Sequence, residues 1–167
     1  MKKRYFLTVL TAIIFCGCFE TENIPAVTDF DLSRYLGKWY EIYRLPNSFE
    51  QGMSDVYAEY SVADNGSYKV VNHGTRNGIK KSISGFVRFA GPADVGELEV
   101  SFFRPFYSRY RVIKLAPDYR YAIVTSGAKK YLWVLARTPQ LSEDEKADIM
   151  VFLKDNNFPV DKLISGQ

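Results

Sequence analysis

Cysteine is nearly absent from the chain of 167 residues: Cys16 and Cys18 are its only two. Everything after Cys18 therefore lacks an internal disulfide, a cysteine metal site and a thiol nucleophile. Histidine is scarcer still. His73 stands alone, which excludes a histidine-rich metal cluster and leaves one residue for any Ser-His-Asp triad. The net charge of +3 comes from Lys2, Lys3 and Arg4, since 22 basic residues less these three equal the 19 acidic ones. Nothing in that balance calls for nucleic acid. No apolar run reaches the roughly 20 residues that span a bilayer. Aromatic residues, in contrast, are plentiful, with twelve Tyr, twelve Phe and two Trp. That exceeds what one small core needs, so some rings are expected to line something. The length fits a single domain that can bury its core without staples.

Lys2-Lys3-Arg4 precede an apolar run from Tyr5 to Phe15 and then Cys16-Gly17-Cys18. A basic start followed by a short apolar run is the layout of a secretory signal. Phe15-Cys16-Gly17-Cys18 resembles a bacterial lipobox, chiefly through Gly17-Cys18. The resemblance implies cleavage before Cys18 and lipidation of its thiol by palmitate-type chains. Two or more such chains make a stable anchor. Phe19 stands where, in enteric bacteria, an Asp resembles an inner-membrane retention signal, which favours the outer membrane of a Gram-negative bacterium. Three segments are expected: a signal peptide at 1–17, a lipidated N-terminus and tether at 18–28, and a folded domain at 29–167. Ordinary signal cleavage, leaving a free or oxidised cysteine, stays open on the residues alone.

Within the domain, short runs rich in aromatic and β-branched residues recur about every ten residues and end at Gly, Pro, Asn or Asp, which predicts strands. Eight are expected, at about 38–45, 55–63, 68–73, 81–89, 97–103, 109–115, 121–126 and 130–136. Asn65-Gly66 and Asn77-Gly78 carry tight-turn chemistry. After Pro139 the apolar period lengthens, and Ser142 with Glu145 forms a capping box for one helix over roughly 143–156. The fold class is all-β with one C-terminal helix: an eight-stranded antiparallel up-and-down barrel, with the helix packed outside it.

Gly37-Lys38-Trp39-Tyr40-Glu41 resembles the G-x-W block of the lipocalins, and the residues before it, Asp31 to Leu36, resemble their short leading helix. Arg137 occupies the place of the lipocalin arginine that packs across that tryptophan. Asp118-Tyr119 matches part of a third block, with Pro117 replacing its threonine. Through Trp39-Tyr40-Glu41-Ile42, Val100-Ser101-Phe102-Phe103 and Tyr131-Leu132-Trp133-Val134-Leu135-Ala136-Arg137, the chain is similar to bacterial outer-membrane lipocalins and their apolipoprotein D-like relatives. The resemblance implies that Gly37, Trp39 and Arg137 close one end of a barrel open at the other.

Strand alternation with Trp39 inward assigns the lining. Glu41 and Tyr43 follow from the first strand. By resemblance the others contribute Ala58 and Tyr60, Tyr68, Val70 and Asn72, Ile83, Gly85 and Val87, Val100 and Phe102, Tyr110 and Val112, Val124, then Tyr131 and Trp133. This set is apolar with few polar groups and contains no Lys or Arg. Glu41 and Asn72 either bond to one another, to Tyr60 or to water, or orient the polar part of an amphipathic ligand. The small residues Ala58, Gly85 and Ala122 suggest an unfilled interior.

By resemblance the ligand is a fatty acid or lysophospholipid, stored or transported for membrane maintenance under stress. No cofactor, metal or nucleic-acid partner is expected, and a homodimer is implied for some relatives. Phe103, Pro105, Phe106 and Tyr107 form an apolar cluster between two strands, suited to a membrane-facing lip or a dimer contact. Other readings stay open: a carrier of haem or an isoprenoid, a lipid-modifying enzyme on the same barrel with Glu41 as base, or a barrel packed solid.

Overall fold

Each strand places alternate side chains on one face, and closing eight such strands turns those faces into a common interior. The computed structural model describes residues 24–126 and 130–167. The expected signal sequence, Cys18 and the first part of the tether lie outside the described residues. A single-turn helix α1 (Leu32–Tyr35) leads into β1 (Gly37–Arg44), β2 (Met53–Val62), β3 (Tyr68–Arg76) and β4 (Ile79–Phe89). Then follow β5 (Glu97–Phe103), β6 (Phe106–Leu115), β7 (Tyr121–Ser126) and β8 (Tyr131–Ala136), the helix α2 (Glu143–Asp155) and a short β9 (Ile164–Ser165). From β1 to β8 consecutive strands pair antiparallel, β1 also pairs with β8, which closes the eight-stranded barrel, and β9 pairs with the end of β1.

The β3–β4 ladder extends beyond its expected length to Arg76 opposite Ile79. Its turn shrinks to Asn77 and Gly78, both with positive φ (52° and 74°), as a two-residue primed turn requires. At Asn65-Gly66 the turn is wider: Ala63 N–H donates to Ser67 O at 2.8 Å and only Gly66 has positive φ.

The core has two layers. Inside the barrel, Trp39, Tyr35, Leu98, Val112 and Val124 are fully or almost fully buried. Outside it, α2 lays Ile149 and Leu153, both fully buried, against a sheet face that includes Ile113, Ile123, Leu132 and Val134. Each such side chain contributes roughly 1.5–3 kcal/mol by leaving water. The capping box forms as expected, with Glu145 N–H bonded to Ser142 Oγ and Ser142 N–H to the Glu145 carboxylate.

Two features depart from the sequence reading. From Ile24 the expected tether already lies on the barrel: Val27 N–H donates to Val112 O and Gly96 N–H to Val27 O, each at 2.9 Å. The second departure is β9. Pairing of β1 with β2 stops at Tyr40 and Tyr57, and the tail fills the seam beyond. Gly166 accepts from Val56 N–H at 3.0 Å and donates to Ile42 O at 3.2 Å. The Gln167 amide donates to the carbonyls of Glu41 and Val56, each at 2.9 Å. Backbone groups that the splayed strands would leave unpaired thereby find partners.

Candidate functional site

One end of the barrel is shut by a stack of rings. Trp39 is fully buried, lies 4.5 Å from the Tyr35 ring, and donates its indole N–H to Tyr35 O at 2.7 Å. The Arg137 guanidinium covers its other side 3.9 Å from the ring centre. Its N–H groups donate to the carbonyls of Arg34, Leu36 and Lys38 at 2.6, 2.8 and 3.0 Å. The planar fork of arginine suits stacking and carbonyl bonding together. Gly37 has φ of 91°, a conformation that favours glycine, and a Cβ there would sit 3.4 Å from Arg137 Nη1. Tyr119, also at positive φ, bonds Asp31 N–H through its hydroxyl and lies under the Arg34 guanidinium.

Above this floor the pairing register makes one continuous inner surface. Trp39 faces Ala58, which faces Asn72, which faces Ile83; Tyr60 faces Val70, which faces Gly85. Val87 faces Val100, Leu98 faces Tyr110, and Val112 faces Val124, which faces Trp133. Tyr68 joins opposite Val87, and Tyr131 stacks beside Trp133 with ring centres 6.1 Å apart. Most of these residues belong to the interior cluster. Yet Tyr68, Asn72, Phe102, Tyr110, Tyr131 and Trp133 are only half-buried although they lie on the inner side, and Ile83 is exposed.

Gly85, taken from sequence as spare room, is not: a Cβ there would fall 2.8 Å from the Phe102 ring, which occupies the space. Ala122 is likewise fully enclosed.

The inward assignment of Tyr43 is corrected by a β-bulge. Against β8, Glu41 faces Leu135 but Tyr43 faces Val134, so the alternation slips by one residue. Tyr43 turns outward into a groove of about 340 Å³ with Ile42, Pro139, Leu141 and Lys146. Arg44 takes the inner face opposite Trp133 and is 3% exposed. The interior therefore does hold an arginine, contrary to the expected lining. A bulge inserts one residue without any special residue type, so sequence alternation alone does not show it.

Arg44 organises a buried charged cluster that sequence reasoning missed. Its Nη1 lies 2.6 Å from Glu41 Oε1, and its Nη2 reaches the carbonyls of Glu50 and Met53 at 3.2 and 3.3 Å. Glu50, from the β1–β2 loop, accepts from Trp133 Nε1 at 3.1 Å and Asn47 Nδ2 at 2.5 Å. Glu41 bonds Arg44 rather than Asn72 or Tyr60; Tyr60 bonds Tyr110 instead.

Burial first, and then the nearby Glu50 carboxylate, push the Glu41 carboxyl up from an ordinary 4.5 to about 8, against the pull of Arg44. The folded state thus holds this proton more tightly than the unfolded chain does. Its contribution is complete below about pH 4.5 and is lost as pH rises through 8. Urea midpoints of the wild type are expected to fall between pH 5 and 8.5, and the Glu41→Gln variant to flatten that fall. An unchanged pH slope in the variant would assign the decline to other groups.

His73 sits on the outer face, stacked 4.5 Å from the Tyr57 ring and 3.2 Å from Glu59. It is not placed to ligate anything held in the barrel. Among the described residues no group of three or more His, Cys, Asp or Glu side chains has metal-binding geometry.

The open end carries exposed aromatic residues. Phe103 and Phe106 flank the β5–β6 turn, 72% and 78% exposed, and the Phe49 ring of the β1–β2 loop lies tilted against Tyr131 and Trp133 with ring centres 5.6 and 6.3 Å away. Exposed Lys80, Lys81 and Arg104 share that end with Ile79.

Comparison with known proteins agrees with this architecture. A lipocalin-like domain family matches residues 30–167. The outer membrane lipoprotein Blc of Vibrio cholerae is 38% identical, over 98% of each chain. That of Escherichia coli K12 is 40% identical over 85% of this chain and 81% of its own. Apolipoprotein D of Cavia porcellus is 33% identical over 84% of this chain and 78% of its own. Among solved structures, insecticyanin from the tobacco hornworm superposes with a TM-score of 0.71 at 25% identity, covering 87% of this chain and 84% of that one. A G-x-W floor sealed by an arginine, a closed eight-stranded barrel and relatives that match it nearly end to end lead to one conclusion: the chain belongs to the lipocalin family, in its group of outer-membrane lipoproteins.

Proposed function

We propose that the protein is a lipid carrier: the barrel holds one acyl chain, of a fatty acid or lysophospholipid, and Cys18, acylated after removal of residues 1–17, keeps the open end close to the outer membrane. The observation that carries this reading is the inner face itself, apolar by register yet half-buried at Tyr68, Phe102, Tyr110 and Trp133. Concave apolar surface with a few placed polar groups is the ordinary form of a small-molecule site. Storage or transport of such lipids for membrane maintenance under stress is part of the same proposal and rests on the resemblance to outer-membrane lipocalins.

At the mouth, Arg44 spends its donors on Glu41 and on two carbonyls, so it has little to offer an anionic headgroup. The π faces of Tyr131 and Trp133 and the Glu50 carboxylate are better suited to an ammonium. The exposed Phe103 and Phe106, with Lys80, Lys81 and Arg104 at the same end, suit contact with an anionic bilayer from which a ligand is drawn. Binding rather than catalysis is favoured because Glu41, the inward carboxylate considered as a base, is tied to Arg44. The outward position of His73 disfavours the haem reading.

A titration with lysophospholipid tests the proposal. Asn72→Phe fills the inner face opposite Ala58 and Ile83 and is expected to weaken binding at least about tenfold, about 1.4 kcal/mol, with the urea midpoint little changed. Equal binding by wild type and variant would place the ligand elsewhere.

A further inference from the structure

Three phenol hydroxyls meet inside the barrel above Trp39. Tyr110 Oη lies 2.8 Å from Tyr35 Oη and accepts from Tyr60 Oη at 2.9 Å. Tyr35 is fully buried and Tyr60 is 5% exposed. Burial raises the pKa of each of the three, so all remain protonated at neutral pH.

The proton count does not close. Three hydroxyls carry three protons, and the two contacts among them consume two. If Tyr60 donates to Tyr110 and Tyr110 to Tyr35, the remaining proton is on Tyr35. If Tyr35 also donates to Tyr110, it is on Tyr110. Neither hydroxyl has a further acceptor among the described residues. Besides the trio, the interior cluster includes Ala58, Val70, Val87, Leu98, Val112 and Val124, whose side chains supply no oxygen, and Tyr119, whose hydroxyl is engaged by the Asp31 N–H. Buried donors without acceptors are uncommon and unfavourable, so each calls for a partner. Tyr110 is also the trio's one half-buried member, on an inner-facing position opposite the fully buried Leu98. Its accessible part therefore borders the space a ligand would fill.

We propose that Tyr35, Tyr60 and Tyr110 form a hydrogen-bond donor site for an oxygen carried along the ligand's acyl chain, so that the barrel selects oxygenated chains over plain hydrocarbon ones. This rests on the acyl-chain reading above and goes beyond it, because a simple hydrocarbon tube has no use for a donor at this depth. The acceptor is a keto, hydroxyl or epoxide oxygen on the chain. A carboxyl headgroup entering first would offer the same chemistry, and a lysophospholipid probe, whose glycerophosphate blocks that entry, separates the two.

The full chain, stripped of lipid, is titrated with stearoyl lysophospholipid and with a series bearing one ketone at successive positions of the stearoyl chain. At the favoured position the ketone is expected to bind about fivefold more tightly, the scale of one neutral hydrogen bond. Tyr110→Phe is expected to bring the ratio of ketone to plain-chain affinity, measured within the variant, back to about one, whatever its effect on the plain chain. A readout on the wild type does not depend on that variant folding: the bound ketone's carbonyl stretch should fall below its value in hydrocarbon solvent. Equal affinity at every ketone position, or an unshifted stretch, overturns the donor site. Failure of every lysophospholipid to bind would instead overturn the carrier reading on which it rests.

Discussion

Arg44→Met is expected to lower the stability of the folded chain by about 3–5 kcal/mol, the range seen when one partner of a buried ion pair is removed. The side chain is 3% exposed, and it joins groups brought from three places: Glu41 on the same strand, Glu50 in the β1–β2 loop and the Met53 carbonyl at the start of β2. Methionine fills much of the same volume, so the loss reports on charge and hydrogen bonding more than on a cavity. Glu41 and Glu50 would be left facing one another inside the barrel with no cation between them. The double variant Arg44→Met with Glu41→Gln should recover part of the loss, because it removes one of those carboxyls. Urea denaturation at pH 9, above the Glu41 titration near 8, measures both with Glu41 ionised in the wild type, and the slope is expected to stay constant. A loss below about 1 kcal/mol, typical of an exposed pair, would mean that water reaches the cluster freely.

Trp39→Ala carries the next largest effect, also about 3–5 kcal/mol. It removes the ring on which Tyr35 and Arg137 pack and frees the Tyr35 carbonyl from its indole partner. Because the floor is anchored by bonds from Arg137 to three backbone carbonyls of the α1–β1 region, the cavity cannot collapse easily. Trp39→Phe keeps a ring and loses the N–H bond, so about 1–2 kcal/mol is expected from the unmade hydrogen bond. Thermal or urea unfolding separates the two variants, and equal losses would show that the indole N–H rather than the ring holds the floor.

The fold was legible because its signals are local. Alternation, turn residues and a capping box each act within a few residues, and the eight strands and α2 lie where those patterns put them. The floor was legible for a different reason, since Gly37, Trp39 and Arg137 carry a recognisable motif. What escaped depends on contacts far apart in sequence. The bulge after Glu41 exchanges Tyr43 for Arg44 on the inner face, and no residue there announces it. Glu50 reaches the barrel through a loop, where alternation says nothing. Gly85 looked like empty space because the Phe102 ring that fills it comes from the next strand. The seam closed by Gly166 and Gln167 exists only because β1 and β2 part company beyond Tyr40.

The central claim, that one acyl chain lies within the barrel, is tested most directly by its two tryptophans, both on the inner face. Lysophospholipids brominated at successive acyl carbons quench a nearby indole, and a Trp133→Phe variant leaves Trp39 at the floor as the only reporter. Delipidated protein should show quenching that saturates at one ligand per chain. Trp39 should respond most to bromine near the chain terminus, and Trp133 to bromine near the headgroup. Quenching that never saturates, or that ignores the position of the bromine, would contradict a chain held inside the barrel.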